Sequence, residues 1–221
     1  MSRAERATRK REQLIDAAAR ALEEKGPQAL NARGLGKDIG ASTSAIYHHF
    51  GDMPTLLRAV VDLGFDRLDQ TLAAVPSTED AITDIAGLAL AYRAAARRGP
   101  HLYDLMFGLS APGGQRPTPS PGISATQGPA RQAFLHLVHA VERGSGQGRL
   151  RGVPAEPVAA QLWSMLHGYV GLELSGLFDD LSDPLGEVLL PMGTNLIIGL
   201  GDHPEDARRS AAAALHPHPR R

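Results

Sequence analysis

Apolar residues recur along this chain at spacings of three and four and almost never in strict alternation, which is the periodicity of helices and not of strands. Abundant Ala and sparse aromatic and β-branched residues agree, so an all-α fold is expected. Leu14, Ala18 and Leu22 mark one face of a first helix over residues 8–25, with Ile15 and Ala19 beside it, and Gly26-Pro27 stops it. Two short helices are predicted next, at 32–39 with Asn31 as cap and Gly40 as stop, and at 44–48 capped by Ser42 or Thr43. Gly51 breaks the chain again. Asp52 then caps a long helix with Pro54 in its first turn, and its stripe of Leu56, Leu57, Val60, Val61 and Gly64 continues to Leu68 and Leu72.

Further helices are predicted at 78–98, 103–107, 129–143, 156–178 and 184–200. Between the second and third of these, residues 111–128 carry six glycines and prolines in their first eleven positions and read as a loop and not a helix. The last two helices differ from the rest. Leu162, Leu166 and Tyr169 form one stripe of the first, while Trp163, Val170, Leu174 and Leu177 form another; Val188, Met192 and Leu196 oppose Leu190, Ile197 and Ile198 on the second. A helix apolar on two faces must be covered on two faces. A second copy of the chain joined through 156–200 is the economical cover, the alternative being a central place in one monomeric core.

Composition narrows the chemistry. The chain has no cysteine, which removes disulfides, thiolate catalysis and Cys-based metal sites. No secretory pattern opens it, and no stretch approaches the roughly 20 apolar residues that span a bilayer, so a cytoplasmic protein without membrane contact is expected. The formal net charge is only −1, but it is unevenly spread: residues 1–50 hold nine basic against six acidic side chains, and Arg3, Arg6, Arg9, Lys10 and Arg11 face only Glu5 in the first eleven. A basic end of this kind is suited to phosphate.

The same end carries helix-turn-helix spacing. From Leu35 to Ile46, Gly40 makes the bend while Leu35, Ile39 and Ile46 face inward. The outward residues of the second short helix, Ser42, Thr43, Ser44 and Ala45, are small enough to approach base edges, and Tyr47 and His48 are suited to phosphate oxygens. Asn31, Arg33 and Lys37 flank them towards the DNA backbone, Arg33 with reach to a base, and the arginine arm is read along the minor groove or the phosphates. With Tyr47-His48-His49-Phe50-Gly51-Asp52 closing the unit, residues 9–61 resemble the N-terminal domain of the TetR family of repressors. That resemblance implies that the positions of Tyr47 and His48 lie on the DNA backbone. Two departures stand out: Gly34 and Gly36 soften the first short helix by about 1 kcal/mol each relative to Ala, and Met53 stands where the family usually has Lys.

Farther on, Tyr92, Arg97, Pro100, Leu102-Tyr103 and Met106-Phe107-Gly108, followed by Trp163-x-x-x-His167-Gly168, resemble a TetR subgroup whose C-terminal domain bears a Trp/His-Gly signature. The resemblance implies a small-molecule effector domain, with Tyr92, Tyr103, Met106, Phe107, Phe134, Trp163 and His167 as pocket candidates; core packing explains each of them equally well, and His167 reads best as a satisfied structural histidine. His136 and His139, one turn apart, read as a surface pair and not a metal site. No Gly-rich phosphate loop, HExxH or GxSxG is present, so no enzyme, cofactor or metal is expected. The organisation expected is a DNA-reading domain at 1–61, a helical effector and dimerisation domain at 62–205 and a flexible tail at 206–221. The protein would bind double-stranded DNA as a homodimer under the control of an effector; a sequence-indifferent architectural DNA-binding protein is the other reading.

Overall fold

The computed structural model describes residues 2–31, 43–117, 127–152 and 154–216, and these hold nine α-helices and no strand. The all-α expectation holds. The short helix read at 32–39, with Gly34, Gly36, Arg33 and Lys37, lies outside the described residues, as do Ser42 and positions 118–126 of the predicted loop.

The first helix, α1 (Arg3–Lys25), starts before the predicted position because Ser2 and Glu5 form a capping box: Ser2 Oγ accepts from the Glu5 amide at 3.1 Å and Glu5 Oε2 accepts from the Ser2 amide at 2.8 Å. The basic arm is therefore helical from Arg3 onward. α2 (Thr43–Phe50) and α3 (Met53–Ala73) follow, with Asp52 Oδ1 accepting from the Thr55 amide at 2.8 Å as the cap of α3. Then come α4 (Ala81–Arg98), α5 (Pro100–Met106), α6 (Pro129–Gly146) and α7 (Ala155–Leu174). α7 ends short of the predicted 178 because Ser175 Oγ bonds back to the Leu172 carbonyl and Gly176 turns the chain at φ +81°. The helix read at 184–200 begins as a wide π turn (Leu185–Leu189) before α8 (Leu190–Gly199), since Pro191 has no amide to donate into the ladder.

Two compact units divide the chain: 1–67 with 98–130, and 68–97 with 131–221. This differs from a linear boundary at 61, because the excursion that contains α5 packs with α1. Gly64 on α3 makes room for it. A Cβ there would lie 2.6 Å from Met106 Sδ and 3.2 Å from Leu102 Cδ1, so a larger residue would force the Met106 side chain to shift. The core of the first unit includes Leu14, Ala18, Leu22, Ile46, Phe50, Leu56, Leu57 and Val60, all buried.

The second unit is held by apolar packing and by polar clamps. Arg149 Nε and Nη2 reach Asp202 at 2.5 and 2.7 Å, its Nη1 reaches Asp80 at 3.1 Å, and Ser210 donates to Asp80 Oδ2 at 2.5 Å. Arg143 likewise pairs with buried Asp84, which also accepts from the Thr78 amide and hydroxyl. Ser210 belongs to a ninth helix, α9 (Pro204–Ala214), with Ala207 and Ser210 buried. The segment from 206 is thus helical to Ala214, not a tail; Pro204 at its start, Glu205 and Asp206 in its first turn and the alanines behind them are its sequence signals.

Candidate nucleic-acid interface and effector cavity

α2 presents two unlike sides. Ile46 and Phe50 are buried, at 0% and 5% exposure, while Ser44, Tyr47 and His48 are exposed. Thr43 and Ala45 lie on the same helix, but their side chains are outside the described set. Beneath the exposed edge, the Arg11 guanidinium of α1 sits 4.9 Å over the Phe50 ring. The His48 and His49 rings meet edge to face at 5.3 Å. Asn31 is exposed, and its Nδ2 donates to the Gln28 carbonyl at 2.8 Å. At the start of α3, hydrogen bonds from the Thr55 hydroxyl and amide hold the Asp52 carboxyl below its usual pKa, so a negative charge occupies that helix terminus.

The pocket candidates fall in two places. Tyr103, Met106 and Phe107 belong to the first unit, where Phe107 packs on Tyr103 and Phe65 at ring distances of 4.8 and 5.6 Å. Tyr92, Phe134, Trp163 and His167 belong to the second. There Trp163 meets Tyr92 and Phe134 edge to face at 5.1 and 5.7 Å, and Tyr92 Oη lies 3.5 Å from His167 Nδ1. Burial pushes the His167 pKa down, which favours the neutral ring.

Tyr92 and Trp163 line a cavity of about 60 Å³ within this unit, formed by the end of α3 with α4, α6, α7, α8 and α9. Phe134 and His167 stand behind that wall and not in it. Eighteen further residues line it, among them Met165, Gly193, Thr194, Ala207 and Ala211, and none of these is among the pocket candidates drawn from the sequence. Ala, Gly, Thr and Met residues spread over α7, α8 and α9 carry no spacing signal that distinguishes a cavity wall from a core.

α7 and α8 also carry a solvent-facing surface poor in charge. Gln161, Ser164, Gly168 and Leu172 are exposed on α7 and Pro191, Asn195 and Gly199 on α8, with Val188, Met192 and Leu196 half-buried. His136, read as half of a surface pair, bonds Asp69 at 2.8 Å through Nε2. Among the described residues no group of three His, Asp or Glu is placed to hold a metal, and no helix is long and apolar enough to cross a membrane.

These features can be set beside known proteins. Residues 14–60 match the description of bacterial regulatory proteins of the tetR family, and residues 85–191 match the tetracyclin repressor-like C-terminal domain, a span that includes Trp163, His167 and Gly168. An uncharacterized HTH-type transcriptional regulator of Mycobacterium tuberculosis is 31% identical over 174 residues, covering 77% of this chain and 73% of that protein. A protein of unknown function from Rhodococcus sp. RHA1 has the same fold with a TM-score of 0.70 and 27% identity, covering 87% of this chain and 95% of its own. RolR in complex with resorcinol superposes with a TM-score of 0.66 over 99% of both chains, at 16% identity, a likeness of fold alone. The family's members are transcriptional regulators and not enzymes, and its N-terminal module is a DNA-binding helix-turn-helix. On the strength of both matched regions and of the mycobacterial relative, this chain belongs to the TetR family of bacterial transcriptional regulators.

Proposed function

We propose that the protein is a ligand-responsive regulator, by default a repressor, that binds a pseudo-palindromic operator as a homodimer in the cytoplasm. The observation that carries this reading is the two-sided α2, with Ile46 and Phe50 buried under an exposed edge of Ser44, Tyr47 and His48. Ser42, Thr43, Ser44 and Ala45 would meet base edges in a major groove, while Tyr47 and His48, with Asn31, Arg33 and Lys37, would hold phosphates and set the register. The helical, basic start of α1 would add charge along the backbone. The charge-poor face of α7 and α8 supports a self-association surface, which would place the two recognition helices about 34 Å, or a multiple of a turn, apart.

Effector control is supported by the cavity in the second unit. RolR, of the same fold, is known with the small molecule resorcinol. An effector would lower operator affinity by no more than its preference for the released over the DNA-bound geometry. Footprinting on the DNA flanking the gene tests the whole reading. A protected palindrome that small molecules release supports it; protection independent of sequence points to an architectural role, and no binding at low salt refutes both.

A further inference from the structure

Resting on the effector reading and sharpening it, we infer that the cavity formed by α4, α7, α8 and α9 selects an uncharged, largely apolar molecule of about one ring in size, with one hydroxyl, and rejects carboxylate and ammonium analogues of the same shape.

The wall itself sets the class. None of the side chains that line the cavity is ionisable as Asp, Glu, Lys, Arg or His, and only Tyr92, Trp163 and Thr194 bring polar side-chain atoms to it. Three arginines around this unit already have carboxylate partners: Arg93 holds Glu173 through Nε at 2.9 Å, Arg149 holds Asp202, and Arg143 holds Asp84. Recruiting one of them to an anionic ligand would strip a buried or half-buried carboxylate of its partner. A cationic ligand would find no acceptor with a full charge. Burying an ion without a partner is strongly unfavourable, whereas one hydroxyl can be satisfied by Thr194 or Tyr92.

Size follows from the same wall. At about 60 Å³ the cavity is less than half of the roughly 150 Å³ that accepts a benzene in a dry apolar core. A ring therefore needs the wall to yield. Met165 is the side chain able to do so, because it is unbranched, and its Cε lies 3.8 Å from where a Cβ on Gly193 would stand. Ala89, Ala207 and Ala211 keep the remaining sides short.

The single tryptophan of the chain, Trp163, lines this cavity, so its emission reports occupancy directly. Cyclohexane, cyclohexanol, cyclohexanecarboxylate and cyclohexylammonium share one ring and do not absorb with indole. Titrated against the full chain, cyclohexanol is expected to shift Trp163 emission saturably, with both charged analogues weaker by about a hundredfold or more. Thr194→Val should weaken cyclohexanol and leave cyclohexane unchanged, and Ala89→Leu should abolish both responses. If circular dichroism shows that Ala89→Leu does not fold, the Thr194→Val comparison decides alone. Charged analogues that bind as well as cyclohexanol, or four probes without effect on Trp163, overturn the inference. Saturable, charge-selective binding that leaves operator footprints intact upholds the ligand class and refutes effector control through this cavity.

Discussion

In the first unit the ion pairs of Arg67 stand outside the core. Arg67 reaches Glu23 at 3.3 Å and Asp16 at 3.7 Å, with all three side chains between 35% and 50% exposed. The second unit instead buries carboxylates, Asp84 at 6% and Asp202 at 1% side-chain exposure, each against an arginine, and it holds a partly open cavity among apolar side chains. The contrast follows from what each must do. A surface that docks on DNA needs a rigid helix over a filled core, and Ile46, Phe50, Leu56 and Leu57 fill it. The effector role proposed for the second unit needs room, and a space of about 60 Å³ lies among its helices. Directional clamps at the edge of the second unit, with Arg149 joining Asp80, Asp202 and Ser210, hold α4 and α9 in register without filling the space between them.

Breaking a clamp should therefore be the costliest single change. Asp202→Ala leaves Arg149 without its main partner and should lower stability by about 3–5 kcal/mol in chemical denaturation; a loss under 1 kcal/mol would make the clamps ornamental. Ile46→Ala empties a fully buried site of the first unit and should cost about 2–4 kcal/mol. Operator affinity should fall with it, while Trp163 fluorescence in the second unit stays native. Loss of Trp163 structure in that variant would erase the distinction between the units.

Acid should act on the second unit in two steps, since His167 and Asp80 both belong to it. The folded-state pKa of His167 lies below its unfolded value, so its contribution is fully present above about 6.5 and is lost as pH falls through the folded value. Burial works to raise the Asp80 pKa, but bonds from Ser210, Thr83, the Ile82 amide and Arg149 outweigh it and the net shift is downward. Its contribution is present above about 3.9 and disappears only in stronger acid. Between pH 7 and 5 hydrogen exchange should therefore loosen around Trp163 first, with α1 and α2 unchanged; the reverse order would contradict the assignment.

Smaller effects belong to the first unit's surface. Ser2→Ala removes the capping box and should cost about 1 kcal/mol, fraying α1 near Arg3 and Arg6 and reducing the salt dependence of DNA binding. Glu23→Ala, which deletes an exposed pair, should change stability by less than about 0.5 kcal/mol. Equal effects of Glu23→Ala and Asp202→Ala would dissolve the comparison between surface and buried charge.

Much of this molecule is legible before any coordinates. Gly26 and Gly51-Asp52 punctuate the helices where the sequence pattern places breaks, because caps and turns are local chemistry. The buried stripes of α1 and α3 and the two-sided α2 follow from periodicity. The same local rules would have revealed α9, with Pro204 and its acidic first turn, and the Ser2–Glu5 box, had they been applied to the chain's ends.

The sequence by itself determined an all-helical chain and a helix-turn-helix module at its basic end, since each rests on spacings within one helix or one turn; membership of the TetR family rests on likeness to known proteins. Tertiary structure decided the rest. It moved residues 98–130 into the first unit through the gap at Gly64, separated Tyr103 and Phe107 from Tyr92 and Trp163, drew Arg11 onto Phe50, and gathered Thr194, Met165 and Ala211 around one cavity. These are meetings of residues distant in sequence, and no periodicity within a single helix encodes which distant side chain will fill the space beside it.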